Sequence, residues 1–350
     1  MFDEIFLLIL AAAVFLLFSW AFRTLPNEEW QILACLPGRK DEGGIWSGVN
    51  LTYYGFFNAL AYVLAVALFL MMIGSLGITL GAALSVILPL LVLCMQASRI
   101  LARLVENKPH TFSVGAASFV GIVAAPWIIA LANATLGKLL GFHIPFTETL
   151  AAMLIAYAFG EGIGRLACIS FGCCYGKPLT LCHPILGRLF RRRNFVFWGK
   201  TKKINYADEL EGMAVIPVQA LTAIIYTGTG LVSLYFFLKG WAAAALMLGL
   251  AITQLWRFVS EFLRADHRGP GHISAYQIMT LAGMAYAVVI ALFNTDPYSV
   301  SPNLARGLLS LWNPGLIIFL ALLWIAAFLF TGKSSVTCSS IDIRVVEKNI

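Results

Sequence analysis

Nine apolar runs set the pattern of this chain, at about 4–22, 51–76, 78–98, 114–139, 147–172, 214–238, 240–262, 274–294 and 311–331, with polar or charged stretches between them. Each is near the ~20 residues that a helix needs to cross the hydrocarbon of a bilayer, and all are too long for barrel strands. The pattern predicts an all-α, polytopic membrane bundle of about nine transmembrane helices. Residues 1–50 hold one helix and a polar loop, 51–294 a seven-helix core, and 295–350 a connector, a last helix and a polar tail. Runs 51–76 and 78–98 almost touch, which predicts a tight helical hairpin. Asp3 and Glu4 stand where a secretory signal carries basic residues, and no small-residue cleavage site follows, so the first run reads as a retained helix. The stretch 295–310 and the tail from Gly332 carry no motif.

Composition agrees: 60% of the residues are hydrophobic and 12% charged, and the mean hydropathy of +0.85 lies outside the soluble range. Seven cysteines, an odd number lying mostly within or beside the spans, argue against a disulfide framework. The net charge of +7 does not read as nucleic-acid binding, because the basic residues sit in membrane-proximal loops where anionic headgroups are the nearer partner. Connections at 23–50, 99–113, 173–213 and 263–273 and the tail hold most of them, whereas the alternate set holds Lys138, Lys239 and Arg306. The positive-inside rule puts the first set in the cytoplasm. Its longest member, 173–213, forms a small basic head, read either as a solvated topogenic loop or as a landing surface for an anionic lipid.

Charges inside the runs change the picture from a bundle to a site. Glu161 and Arg165 lie in an apolar stretch, where an ionised side chain costs roughly 2.5 to 3.5 kcal/mol, so they mark a cavity, a partner charge or a polar ligand. Arg257, Glu261 and Arg264 repeat the spacing at the end of another run and share one helical face. Two such helices meeting on these faces suit a bidentate grip on phosphate, with the acids holding the arginines; snorkelling of the arginines to the interface is the plainer reading. Gly160, Gly162 and Gly164 before Arg165, and Gly172 and Gly176 after it, allow close helix approach or a helix break.

The segment Gly164-Arg-Leu-Ala-Cys-Ile-Ser-Phe-Gly-Cys-Cys-Tyr-Gly176 resembles the signature of prolipoprotein diacylglyceryl transferases, Gly-Arg-x-Gly-Asn-Phe-x-Asn-x-Glu-x-x-Gly. Arg165 and Gly176 match, while Cys168 and Cys173 replace an asparagine and the glutamate. Leu51-Thr-Tyr-Tyr-Gly55, Pro217-Val-Gln-Ala-Leu221, Arg257 to Arg264 and Ile273-Ser-Ala-Tyr-Gln277 resemble further family blocks in the family's order. The resemblance implies transfer of a diacylglyceryl group from phosphatidylglycerol, an anionic phospholipid, to the thiol of a lipobox cysteine in a preprotein, with release of glycerol phosphate. It makes Arg165 and Arg257 the groups that neutralise the phosphate and Glu261 the orienter of Arg257. Tyr54, Gly164, Gly176, Gln219, Arg264 and Gln277 come in as substrate-binding positions. It also implies a cytoplasmic (inner) membrane location with the site on the outer side, against the positive-inside rule; the family orientation is adopted.

The block Gly115-Ala-Ala-Ser-Phe-Val-Gly121 resembles Gly-Gly-x-x-Phe-His-Gly with Val120 in place of the histidine, which leaves the base open. Glu161 is the favoured replacement, ahead of the loop histidines His110, His183, His267 and His272. Cys173, Cys174, Cys182 and His183 lie within eleven residues, and soft ligands of this kind suit zinc, but the usual Cys-x2-Cys loop is missing. A lipid-acceptor cysteine is a second reading, and ordinary small packing residues are the favoured one; the expectation is no metal and no organic cofactor. The leading function is a phospholipid-dependent transferase acting on a lipoprotein thiol or another nucleophile. A non-catalytic lipid-binding or transport protein, which tolerates Val120, is the alternative.

Overall fold

In hydrocarbon every backbone polar group must be bonded within its own segment, so the apolar runs become helices. The computed structural model describes residues 1–106, 114–265, 273–293, 300–334, 337, 339–341 and 348. In chain order the elements are α1 (Phe2–Thr24), β1 (Ile32–Lys40), β2 (Trp46–Thr52), α2 (Tyr53–Ser75), α3 (Leu80–Glu106), α4 (Val114–Ala132) and, beyond a π turn at Asn133–Gly137, α5 (Lys138–Leu140). There follow α6 (Phe146–Phe171), α7 (Pro184–Phe190), β3 (Phe195–Val196), α8 (Lys203–Asp208), β4 (Ala214–Val215), α9 (Val218–Leu238) and α10 (Ala242–Leu263). The chain closes with α11 (Ala275–Phe293), α12 (Leu304–Leu311), α13 (Pro314–Gly332) and β5 (Ser339–Ile341). Among the described residues eight helices are long and apolar enough to cross a membrane, and α11 adds a shorter apolar helix. The protein is a multi-pass membrane helical bundle.

α6 is the axis. One side packs on α2 and the other on α9 and α10, and a Cβ on Gly162 would collide with the Thr227 hydroxyl, so α6 and α9 approach only because that position is bare. Gly160 and Gly164 face α2 instead, toward Ala65 and Ala61. Phe159, Ile155 and Phe237 anchor the core at one end of the bundle; Phe57, Leu166, Tyr175 and Phe197 anchor it at the other.

Three elements differ from the sequence reading. The chain turns at Gly77 (φ +76°) before α3, and α3 packs chiefly on α4 rather than folding back as a hairpin on α2. The polar loop before α2 is a β1–β2 antiparallel hairpin, and β5 adds a third strand to it. The connector before the last span contains α12, capped by the Asn303 side chain and packed on α2.

Parts of three basic connections, 23–50, 173–213 and 263–273, meet near the C-terminus of α6. Trp198 N–H donates to Pro26 O at 3.2 Å and Lys177 N–H to Leu263 O at 2.9 Å. Lys202 departs from its expected place on the basic head: it is fully buried, and its Nζ donates to Ser170 O at 2.7 Å and Leu25 O at 2.9 Å, tying the ends of α6 and α1 together. Burial pushes this ammonium from its ordinary 10.5 down to about 8, the Glu28 carboxylate opposing. The sign follows from which state binds the proton. Below pH 8 both states are protonated and the cost of burying the charge is fully present, whereas between about 8 and 10.5 only the unfolded chain keeps the proton, so stability rises with pH. The rise is expected to be on the order of 3 kcal/mol over that window, measured as the apparent melting temperature in detergent, and to be absent in Lys202→Met. Parallel curves for the two proteins would exclude Lys202 as the source.

Candidate active site

α6 places Tyr157, Glu161, Arg165 and Cys168 on one face, since their spacing of four, four and three residues follows the helical repeat. The helix then stops at Gly172, whose φ of +67° is left-handed. Gly172 N–H donates to Ile169 O at 3.2 Å and Cys173 N–H to Cys168 O at 3.0 Å. This double closure brings the residue after the glycine back over the one five before it. Here both are cysteines. Cys174 is also left-handed, at φ +57°, an uncommon conformation for a residue with a side chain. The Sγ atoms of Cys168, Cys173 and Cys174 all lie within 4.8 Å of one another.

α10 contributes the facing charges. Arg257 donates to the Tyr157 hydroxyl at 3.3 Å. The helix ends at Leu263, and Arg264 is extended, bridging the signature segment at Gly176 while its guanidinium pairs with Glu261 at 3.8 Å. Arg264 and Glu261 side chains are each 7% exposed, so Arg264 points inward rather than snorkelling. Arg165 pairs with Glu161, both largely buried. That pairing commits the Glu161 carboxylate to holding the guanidinium.

Arg165, Arg257, Arg264 and Glu261 line one narrow cleft, together with Gln219 and Cys174. Glu161 stands behind Arg165. Three guanidiniums against two carboxylates leave a net positive charge, and burial raises the strength of each interaction with an anion. Two polar atoms here have no hydrogen-bond partner among the described residues, Arg165 Nε and Gln219 Oε1. One is a donor and the other an acceptor. Gln219 Nε2 donates to Cys173 O at 2.9 Å, which aims the orphan oxygen from a fixed amide. Hydrogen bonding among the thiols, then the charges of Arg264 and Arg165, holds the Cys174 thiol well below its usual range.

The remaining expected positions are not in this cleft lining. Tyr54 packs edge-on against Phe171, with ring centroids 5.6 Å apart, and Gly164 is a packing contact of α6 on α2. Gly176 is where backbones meet, as its bridge to Arg264 shows. Gln277 caps its own helix, accepting from Ser274 N–H at 2.8 Å, and donates to Phe258 O at 3.1 Å, which fastens α11 to α10. Val120 is half-buried on α4. The His183 ring accepts from Ile185 N–H at 3.4 Å and caps α7; His110, His267 and His272 lie outside the described residues. Reading charges missed Thr222, Tyr226, Trp256 and Ser260, which also line the cleft. It missed Gly115 as well, where a Cβ would lie 2.6 Å from Arg257 Nη2, so the start of α4 closes over that guanidinium.

The family model for prolipoprotein diacylglyceryl transferase matches residues 45–293. The chain belongs to that family. A phosphatidylglycerol-prolipoprotein diacylglyceryl transferase 2 of Clostridium perfringens (strain 13 / Type A) is 30% identical over 128 residues, covering 35% of this chain and 43% of the relative. The family match takes in both arginine-bearing helix ends, the Gln219 wall and all three clustered cysteines.

Proposed function

We propose that this membrane protein transfers a diacylglyceryl group from phosphatidylglycerol to an acceptor thiol, the cysteine of a lipobox-containing preprotein, at the outer face of the cytoplasmic membrane, with residues 51–294 as the catalytic core. The observation that carries the reading is the convergence of Arg165, Arg257 and Arg264 on one buried cleft that also presents a donor and an acceptor without partners among the described residues. The donors suit the phosphodiester, and Gln219 Oε1 suits a hydroxyl of the headgroup glycerol. In the reaction the acceptor sulfur, having lost its proton, attacks the phosphate-bearing carbon of the diacylated glycerol; the S–C bond forms, that carbon's C–O bond breaks, and the headgroup glycerol phosphate leaves with the bonding pair. Arg165 and Arg257 stabilise the charge that grows on the leaving oxygen, which is the largest single contribution such preorganised donors make. Glu161 and Glu261 keep the guanidiniums in place before the lipid arrives.

The test is release of glycerol phosphate from labelled phosphatidylglycerol by the full chain in nanodiscs, with and without a lipobox peptide. Release that depends on the peptide is expected. Lipid binding with no release in either arm would replace transfer by a binding role on the same scaffold.

A further inference from the structure

The cleft offers no carboxylate outside an ion pair and no imidazole among the described residues. Its two associated carboxylates, Glu161 and Glu261, are committed to Arg165 and Arg264, and the Tyr226 hydroxyl donates to Thr253 O at 3.1 Å. Thiol alkylation nevertheless needs a thiolate. The unused chemistry beside the cleft is the trio of thiols, whose third member, Cys174, also lines the cleft.

We infer that Cys168, Cys173 and Cys174 form a three-sulfur site for a zinc-class thiophilic ion, whose fourth position takes the acceptor thiol as a thiolate beside the arginine cleft. This rests on the transfer reading above. Zn–S bonds of about 2.3 Å in a tetrahedral site put the sulfurs roughly 3.8 Å apart, within reach of three atoms that already lie within 4.8 Å of one another. The backbone sets up the cluster before any ion arrives: the closure at Gly172 stacks Cys173 on Cys168, and the left-handed Cys174 turns the third thiol in. Ordinary packing does not require a left-handed cysteine beside two arginines. Three thiolates around a divalent ion carry a net negative charge, which Arg165 and Arg264 offset. A site with three protein ligands and one open position is the catalytic form of a zinc centre, and a thiol that coordinates the ion is deprotonated outright. The acceptor S–H proton passes to solvent on binding, and the metal-bound sulfur then makes the S–C bond as the phosphate oxygen leaves.

The experiment uses the reduced full chain in nanodiscs, stripped of metal and titrated with Co²⁺ as a spectroscopic probe, then reloaded with Zn²⁺ and assayed for glycerol phosphate release. One equivalent of Co²⁺ with thiolate-to-metal charge-transfer absorption is expected. Cys173→Ser and Cys168→Ser, checked for monodisperse elution, should each weaken binding by at least the ~10–100-fold that loss of an outer-sphere partner causes, while Cys94→Ser keeps wild-type binding. Zinc removal should lower release at least tenfold, and zinc should restore it. Absence of the charge-transfer band in the reduced wild-type protein overturns the site. Equal release by stripped and reloaded protein overturns its role in activating the acceptor and leaves the transfer reading standing. A wild-type cobalt spectrum with no release under any condition keeps the site and sinks the transfer reading.

Discussion

Arg165→Ala is expected to lower glycerol phosphate release by about 10²–10³-fold, the loss that follows removal of one preorganised donor from a developing oxyanion. Arg165 is the donor most committed to the site. It comes from the central helix, is held by Glu161, and keeps an Nε without a partner among the described residues. Arg165→Lys should recover only a small part, because an ammonium keeps the charge but not the fork that grips two phosphate oxygens. The alanine variant also strands Glu161, and breaking a buried pair costs about 3–5 kcal/mol. The comparison therefore includes Arg165→Ala with Glu161→Gln, which removes the orphaned charge. If transition-state stabilisation is what Arg165 supplies, the double variant recovers its melting temperature but not its rate. Recovery of both would make Arg165 a packing charge.

How legible this was depends on the kind of residue. Ionised side chains in apolar runs announce themselves by their cost, which is why Glu161, Arg165, Arg257 and Glu261 could be placed on facing helix surfaces before any coordinates. Gln219 comes in with a family block, but Thr222 and Tyr226, which follow it at helical spacing and complete the α9 wall of the same cleft, are uncharged polar groups of a kind common in membrane helices and carry no such signal. Gly115 belongs to a segment that resembles a family block, yet its contact with Arg257 depends on how α4, α10 and α11 meet. The thiol trio was half legible. Cys173 and Cys174 were read with Cys182 and His183, their neighbours in sequence, whereas the chain turns at Gly172 and returns them to Cys168. The hairpin before α2 escaped because Leu33-Ala-Cys-Leu-Pro-Gly38 lacks the strict alternation of a half-buried strand and contains a proline. The short α12 escaped because eight residues fall well below the length of a span.

Gly176→Ala should damage both stability and rate, and for a reason other than lipid contact. A Cβ at this position would strike the Ile216 carbonyl oxygen and lie 2.8 Å from Ile216 Cβ and 2.9 Å from Val218 Cγ2. Three segments meet here in a backbone seam. Lys177 N–H donates to Leu263 O at 2.9 Å, Ala265 N–H to Tyr175 O at 3.1 Å, and Ile216 N–H to Lys177 O at 3.1 Å. A rotamer change cannot relieve a clash with a carbonyl, so the seam itself must open, at an expected cost of about 1–3 kcal/mol for overpacking. Opening it carries Arg264 with it, because Arg264 is the residue bridged to Gly176. The expected result is a lower melting temperature together with at least a tenfold fall in kcat. A glycine that merely admitted the lipid would instead raise KM and leave melting unchanged. The two routes separate in a double-mutant cycle. If Gly176 acts by placing Arg264, then Gly176→Ala in an Arg264→Ala background costs much less activity than it does alone, since residues in one network are non-additive. Full additivity would detach the glycine from the arginine and return it to the lipid.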